Sequence, residues 1–226
     1  MIYFKNVSKI YPPNSPAVKD IHLQIEQGEF VSIVGQSGTG KTTLVKLMIA
    51  EEKPSVGELT INGWDVGKLS AQEIPILRRQ MGVIFQDFKL LDKKTVFENV
   101  AFALQVCGTP SGRINKVVPE VLEIVGLDKK AQRYPGQLSG GEQQRVVVAR
   151  SLVHAPKIIV ADEPTGNLDA LNTQEVIEIL KRINDLGVTV VLVTHNREIV
   201  NMLRRRVITL DQGKIVNDQA KGKYII

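Results

Sequence analysis

Apolar and polar residues alternate along the first part of the chain, a pattern typical of strands with one buried face. The alternation runs through residues 2–11 and 18–25, and Pro12-Pro13 and Pro16 mark a turn between the two segments. We therefore predict an antiparallel β lobe at the start of the chain.

Further along, the pattern alternates short apolar strands with helices. A run at 30–34 leads through a glycine-rich turn into a helical pattern at 41–50, and two more strands are predicted at 157–161 and 188–194. Because strands that alternate with helices indicate a parallel sheet, the predicted fold class is α/β. The helix between the last two strands has four apolar residues on one face: Val176, Ile177, Leu180 and Ile183.

The middle of the chain has a different pattern. From Asp87 to Arg150 no clear strand signal is present, whereas residues 95–106, 114–125 and 142–154 have helical patterns. Internal repeats and long linkers are also missing from the sequence. We predict one domain over residues 1–226, with a helical subdomain at about 87–150.

Composition narrows the class of protein. With 43% hydrophobic and 23% charged residues in a chain of 226, the balance is that of a globular domain. The longest strongly apolar stretch, Val188 to Val193, is far shorter than the roughly 20 residues of a membrane-spanning helix. The single cysteine, Cys107, cannot form an internal disulfide, and its expected role is packing.

The net charge of +5 is compatible with nucleic acid, an anionic membrane surface or a polyphosphate as partner. Basic clusters such as Arg204-Arg205-Arg206 contain no interleaved aromatic residues that would stack on bases. The expectation is therefore no specific nucleic-acid partner.

The strongest chemical signal lies in the turn between the strand at 30–34 and the helix that follows it. Its sequence matches the P-loop pattern G-x-x-x-x-G-K-[ST], in which backbone N–H groups surround phosphate oxygens at a helix N-terminus. Lys41 is expected to reach the β and γ phosphates of ATP, and the Thr42 hydroxyl to bind Mg²⁺. A chance glycine-rich turn is the alternative, but the flanking strand and helix favour a P-loop NTPase core. The predicted nucleotide-binding residues are Gly35, Gln36, Ser37, Gly38, Thr39, Gly40, Lys41, Thr42 and Thr43.

Two adjacent carboxylates, Asp162 and Glu163, follow the strand predicted at 157–161. Ligands bind at the carboxyl ends of parallel strands, and a P-loop ATPase needs an acid near the metal and a group that orients water beside the γ-phosphate. Asp162 suits the first role and Glu163 the second. Alone, such a pair would more often be a solvated strand end or a helix cap. Beside a P-loop, the catalytic interpretation is favoured.

The segment from Leu138 to Arg145 reads LSGGEQQR and resembles the signature motif of ABC-type ATPases, and the resemblance covers nearly the whole chain. In that family the signature turn of one subunit closes over the ATP held by the P-loop of the other. The resemblance therefore implies a homodimer in which Ser139, Gly140 and Gly141 contact the γ-phosphate bound by the partner copy. An N-capped helix start describes the same residues and is compatible with that role.

Other motifs of the family occur in the expected order. Gln86 resembles the Q-loop glutamine that senses Mg²⁺ and the attacking water, and His195 resembles the switch histidine that contacts the γ-phosphate. Asp169 belongs to a segment that resembles the D-loop, which contacts the opposite subunit, and Tyr11 resembles the aromatic residue that stacks on adenine. Each of these residues, taken alone, would more often be a surface or packing residue. The resemblance implies Glu163, His195, Gln86 and Lys41 as catalytic residues and Thr42, Gln86 and Asp162 as metal ligands.

Within the family, residues 85–91, 95–101 and 162–169 resemble the FtsE group of cell-division ATPases. Lipoprotein-release and macrolide-export ATPases share the last segment but usually have Asn where Lys89 stands. The resemblance to the FtsE group implies an ATPase that uses ATP and Mg²⁺ and is peripheral on the cytoplasmic face of the cell membrane. It would transmit motion through an FtsX-like integral membrane protein to activate peptidoglycan hydrolases outside.

In ABC transporters the membrane partner docks a short helix in a groove of the helical subdomain. Phe88, Leu90 and Leu91 are candidates to line that groove, and buried packing explains them equally well.

Two other functions fit the same motifs. One is the ATPase subunit of a lipoprotein-release, macrolide or amino-acid transporter. The other is an ABC ATPase that acts on DNA or ribosomes, a class that usually has long coiled-coil inserts or two cassettes in one chain, and this sequence shows neither.

Overall fold

The computed structural model describes residues 1–222, whose strands form two sheets. The strands are β1 (Ile2–Tyr11), β2 (Ser15–Ile25), β3 (Phe30–Val34), β4 (Val56–Ile61), β5 (Trp64–Asp65), β6 (Met81–Ile84), β7 (Ile158–Asp162), β8 (Thr189–Val193), β9 (Arg206–Asp211) and β10 (Lys214–Gln219). An antiparallel sheet has the order β2-β1-β4-β5. The larger sheet has the order β10-β9-β3-β8-β7-β6 and is parallel except for the pair β9–β10.

Capping side chains fix where several helices begin. The helices are α1 (Lys41–Met48), α2 (Ile74–Arg78), α3 (Val96–Val106), α4 (Ser111–Ile124), α5 (Gly140–Leu152), α6 (Ala170–Asp185) and α7 (Arg197–Leu203). Thr95, Ser139 and Asp169 each accept a hydrogen bond from a backbone N–H in the first turn of α3, α5 and α6. Each of these three helices therefore begins at the residue directly after its capping side chain.

The parallel sheet has a hydrophobic core on each face. Along β8, Val190 and Leu192 pack with the helices α3 to α6, whereas Val191 and Val193 pack with α1 and the antiparallel sheet. Successive side chains of a strand point to opposite faces, so a continuous apolar run fills both cores. No helix within residues 1–222 is both long and apolar enough to cross a membrane.

The α/β fold class with a parallel sheet and an N-terminal antiparallel sheet is confirmed. One detail differs from the prediction, which placed Pro16 in the turn. β2 begins at Ser15, and Pro16 therefore lies in the strand. Pro16 pairs with Ile10, and β2 is an edge strand. An edge strand can hold a proline because one side of its backbone makes no ladder bonds.

The sequence pattern does not predict β4, β5, β9, β10 or the short helix α2. The residues of β10 alternate between exposed and half-buried, and the first three residues of β4 are exposed. Strands with so little burial lack the apolar alternation that identifies a strand in a sequence. β4 and β9 also pair with strands far away in the chain, β1 and β3, whereas β5 and β10 pair only with the strand directly before them.

Candidate active site

The carboxyl ends of four adjacent parallel strands meet at a cleft of 740 Å³. The P-loop follows β3, Gln86 follows β6, Asp162 ends β7 and His195 follows β8. Ligands bind at this edge of a parallel sheet because the loops that leave it converge there. The order β3-β8-β7-β6 thus brings together side chains that are up to 160 residues apart in the chain.

The P-loop has a conformation that only glycine permits at one position. Gly40, the N-cap of α1, has φ 103°, and a Cβ there would lie 2.4 Å from the carbonyl oxygen of Ala17. The backbone of β2 therefore presses directly on the loop. The Thr39 carbonyl also accepts the N–H of Gly213 at 3.1 Å, in the turn between β9 and β10.

Lys41 lies along the inner side of this loop. Its Nζ donates hydrogen bonds to the carbonyl oxygens of Gly35 at 2.8 Å and Gln36 at 2.7 Å. Burial lowers the pKa of Lys41, and the carboxylates of Glu163 and Asp162 oppose that shift. An ammonium held over the loop by backbone carbonyls is placed to exchange those contacts for phosphate oxygens.

The two carboxylates at the end of β7 have different environments. The pKa of Asp162 is raised, first by burial and then by repulsion from Glu163, while Lys41 acts in the opposite direction. Buried negative charge of this kind is destabilising until a cation neutralises it. Asp162 is therefore suited to a metal-binding role.

Glu163 is held in an unusual conformation by two contacts. Its backbone has φ 48°, its N–H donates to the Val193 carbonyl at 2.9 Å, and its Oε1 lies 2.7 Å from Nδ1 of His195. A non-glycine residue in the left-handed region is strained, and such strain concentrates at functional sites. This conformation places the carboxylate at the cleft beside His195, whose side chain is 68% exposed.

The donor set of the cleft fits Mg²⁺. Residues 1–222 contain no group of three or more His, Cys, Asp or Glu side chains that could hold a metal by themselves. The cleft does contain hard oxygen donors, namely the Thr42 hydroxyl, the Gln86 amide oxygen and the half-buried Asp162 carboxylate. Mg²⁺ is usually bound by one or two protein oxygens together with phosphate and water oxygens, and this set meets that requirement.

The cleft contains most of the residues predicted to act on ATP. The predicted residues that line it are Gly35, Gln36, Ser37, Gly38, Gly40, Lys41, Thr42, Thr43, Gln86, Asp162, Glu163 and His195. Thr39 instead lies buried behind the loop, where its hydroxyl donates to the Gln36 carbonyl at 2.9 Å. Tyr11 is also not among the lining residues, and its ring lies 5.2 Å from the Nζ of Lys9.

The signature turn, residues 138–142, does not reach this cleft. Ser139 and Gly140 are exposed, and neither they nor Gly141 line it. Asp169 is likewise outside the lining and caps α6. One copy of the chain therefore brings together only the P-loop half of the predicted site.

Two lining residues, Ala17 and Arg197, are not predicted from the sequence. Ala17 reaches the cleft only because β2 folds over Gly40, which no local pattern indicates. Arg197 lies two residues after His195 in the chain, so its closeness to that histidine could have predicted that it lines the cleft.

The raised pKa of Asp162 predicts a pH effect on metal-dependent binding. A proton competes with Mg²⁺ for this carboxylate, so ATP affinity at limiting Mg²⁺ should weaken on acidification at a higher pH than an ordinary aspartate would cause. The Glu163→Gln substitution removes the second cause of the shift, and should move the onset of weakening to lower pH. Titrations of both proteins with fluorescent ATP across the pH range test this. Superimposable profiles would contradict the assigned role of Glu163 in the shift.

Known proteins are similar to this chain in sequence. Residues 18–166 match the ABC transporter family. The cell division ATP-binding protein FtsE of Bacillus subtilis is 52% identical over 224 residues, covering 99% of this chain and 98% of the relative. The methionine import ATP-binding protein MetN of Symbiobacterium thermophilum is 43% identical over 220 residues, covering 96% of this chain and 66% of the relative.

A solved structure shows the same fold with nucleotide products bound. It is the dimeric structure of a post-hydrolysis state of an ATP-binding cassette bound to ADP and Pi, with a TM-score of 0.88, 35% identity, and coverage of 99% of this chain and 100% of that chain. The resemblance inferred from the motifs is confirmed. This chain belongs to the ABC transporter family and is an ATP-binding, ATP-hydrolysing member of it.

Proposed function

We propose that two copies of this chain bind ATP head to tail, each ATP lying between the P-loop of one copy and the signature turn of the other. The observation that carries this proposal is the exposure of Ser139 and Gly140 outside the cleft that holds Lys41 and Glu163. An exposed, capped helix N-terminus with a serine hydroxyl is suited to a phosphate group. The similar cassette bound to ADP and Pi is a dimer, which supports the same arrangement here.

Within that site each side chain has a role. The P-loop amides and Lys41 bind the β and γ phosphates and neutralise charge that develops on transfer. Glu163 orients the attacking water, and His195 holds the Glu163 carboxylate through the 2.7 Å contact. Thr42, Gln86 and Asp162 are the residues that would hold Mg²⁺, which supplies charge neutralisation to the phosphates when bound.

The ATPase needs a way to pass motion to another protein, and the helices α3 to α5 offer a docking surface. Phe88 and Leu90 are half-buried against the core of these helices, whereas Leu91 is 37% exposed. An apolar groove of 420 Å³, lined by none of the three, lies on the face where α3 meets α2 and α5. Phe102 and Val106 line it and are 46% and 58% exposed.

The charges beside the groove indicate the kind of partner. Arg78, Arg79 and Arg150 also line it. Arg78 and Arg150 donate hydrogen bonds to backbone carbonyls, and no carboxylate among residues 1–222 forms an ion pair with any of the three. Apolar side chains flanked by cations that no carboxylate neutralises favour an amphipathic helix that carries acidic residues. We propose that this helix belongs to an integral membrane protein and that the helices α3 to α5 act as the partner-binding subdomain.

The specific system we propose is cell division, with an FtsX-like membrane protein as partner and activation of peptidoglycan hydrolases outside the membrane as the result. In this proposal the chain lies on the cytoplasmic face of the membrane as a peripheral subunit. The 52% identity to an FtsE protein along nearly the full chain supports this system over import, where the methionine importer subunit is 43% identical.

Co-purification from detergent-solubilised native membranes tests the partner. An affinity-tagged chain is expected to retain a four-span FtsX-like protein, identified by mass spectrometry. A larger transport permease in its place would refute the cell-division proposal and support the transporter alternative.

A surface variant tests the groove. The Phe102→Glu substitution puts a negative charge into the apolar wall, so it should reduce recovery of the membrane partner about tenfold or more. ATP hydrolysis by the isolated chain should be unchanged. The matched control is Leu186→Glu, which places the same charge on a leucine that is 81% exposed outside the groove. Equal recovery with both variants would show that the partner docks elsewhere.

A further inference from the structure

Asn172, in the first turn of α6, packs directly against the backbone of the signature turn. A Cβ at Gly141 would lie 1.7 Å from Oδ1 of Asn172 and 2.7 Å from its Cβ. Real Cβ atoms do not approach other heavy atoms so closely, so no larger residue fits at position 141 while Asn172 keeps this position. The need for glycine here therefore has a cause inside the subunit, separate from any contact with nucleotide.

The orientation of Asn172 is fixed by Asp169, the residue of the D-loop segment that caps α6. The Asn172 side-chain Nδ2 donates to Oδ2 of Asp169 at 2.7 Å, and its backbone N–H donates to Oδ1 at 2.8 Å. Both carboxylate oxygens are thus occupied by one residue. Asn172 cannot turn away from Gly141 without breaking the side-chain bond to the D-loop segment.

A second contact joins the same two helices one turn further on. Arg145 lies four residues after Gly141 on α5, Glu175 lies three residues after Asn172 on α6, and the two side chains form an ion pair. Residues at these spacings share a helix face, so the ion pair and the Asn172–Gly141 contact lie on one seam. The beginnings of α5 and α6 are therefore held together at two points.

The loop between β7 and α6, which contains the D-loop segment, also contacts the cleft. A Cβ at Gly166 would lie 3.0 Å from Nε2 of Gln86, and Leu168 lies 3.8 Å from the equivalent position at Gly140. Gln86 is thereby connected to the signature turn through the loop that follows β7. Packed elements of this kind shift together because they cannot deform continuously.

We propose that Asn172 is a positioning residue that makes the signature turn and the D-loop segment move as one piece. Asn172 acts through Gly141 and Asp169 and does not itself touch ATP. The inference rests on the proposed composite site, in which the signature turn of one copy completes the ATP site of the other. Its consequence is that a change beside Gln86 in one site alters the turn that serves the second site.

A double substitution tests the packing. Gly141→Ala should lower kcat about 10²-fold, because misplacing a contact to the reacting group by about 1 Å has that effect. Adding Asn172→Gly removes the three Asn172 atoms nearest to the new Cβ, namely Oδ1, Cγ and Cβ, so kcat should recover to within about tenfold of the parent. Failure of Asn172→Gly to restore any activity would overturn the proposal, since glycine would then be needed only on the nucleotide side.

A mixed dimer separates positioning from folding. One Lys41→Ala chain paired with one Ser139→Arg chain holds a single intact site, built from the P-loop of the second chain and the signature turn of the first. Asn172→Gly added to the Lys41→Ala chain should lower kcat about tenfold, whereas the same substitution in the Ser139→Arg chain should have no effect. ATP affinity of the P-loop should be the same in both arrangements.

The controls make each failure interpretable. Gln174→Gly introduces the same flexible residue at an exposed position of α6, and should change neither arrangement. Equal losses in both arrangements, or a loss in neither, would overturn the positioning role of Asn172. If the mixed dimer without Asn172→Gly has no activity, the composite site itself is wrong, so the two failures are distinguishable.

Discussion

The Glu163→Gln variant is expected to bind ATP normally and to hydrolyse it about 10²–10³-fold more slowly, a loss on the order of 3–4 kcal/mol of transition-state stabilisation. The substitution keeps the size of the side chain and its place beside His195, but removes the charge that is proposed to orient and polarise water. In the proposed site the phosphate contacts come from the P-loop and not from Glu163, so binding should persist. The variant should accumulate as an ATP-bound dimer, because the hydrolysis that reopens the site becomes slow.

Steady-state phosphate release, ATP binding and size-exclusion chromatography with and without ATP measure these effects. The control is Glu198→Gln, an identical change at an exposed carboxylate three residues after His195 and outside the lining of the cleft. That variant should retain parental turnover. Parental turnover by Glu163→Gln itself would show that another group orients the water.

Mixing two inactive variants is expected to restore ATP hydrolysis. In the proposed composite site, Lys41→Ala removes the ammonium that binds phosphate and Ser139→Arg blocks the signature turn, so each homodimer should lose at least about 10²-fold in turnover. In a symmetric head-to-tail dimer each substitution damages both sites. A mixed dimer instead combines both defects in one site and leaves the other intact. Random mixing should then return about a quarter of the parental sites.

A chain that carries both substitutions provides the control for complementation. In a mixed dimer with the unmodified protein, each of the two sites carries one of the two defects. Such a mixture therefore cannot recover more activity than simple dilution of the unmodified protein leaves. Thermal unfolding should show that both single variants fold, since the loss of the Ser139 cap costs only about 1 kcal/mol. Activity of the Lys41→Ala and Ser139→Arg mixture no higher than that of either variant alone would refute the composite site.

Local signals in the sequence determined the chemistry of the P-loop half of this site. A strand, the glycine-rich turn and a helix are contiguous at 30–50, so the phosphate-binding loop and Lys41 could be located without knowing the rest of the fold. The same holds for Asp162 and Glu163, which directly follow an apolar strand. The fold class was also predictable, because buried parallel strands are continuous apolar runs whose period differs from that of the helices between them.

The folded chain alone decided how those segments meet. The order of the strands places Gln86 beside Asp162 and His195 beside Glu163. The pairings between distant segments of the chain that create this order leave no trace in local periodicity. The left-handed backbone of Glu163 and the contact between Asn172 and Gly141 are likewise tertiary facts. The physical reason is range, since periodicity and capping act within a few residues of the chain, whereas strand order and close packing are set by surfaces that meet only after folding.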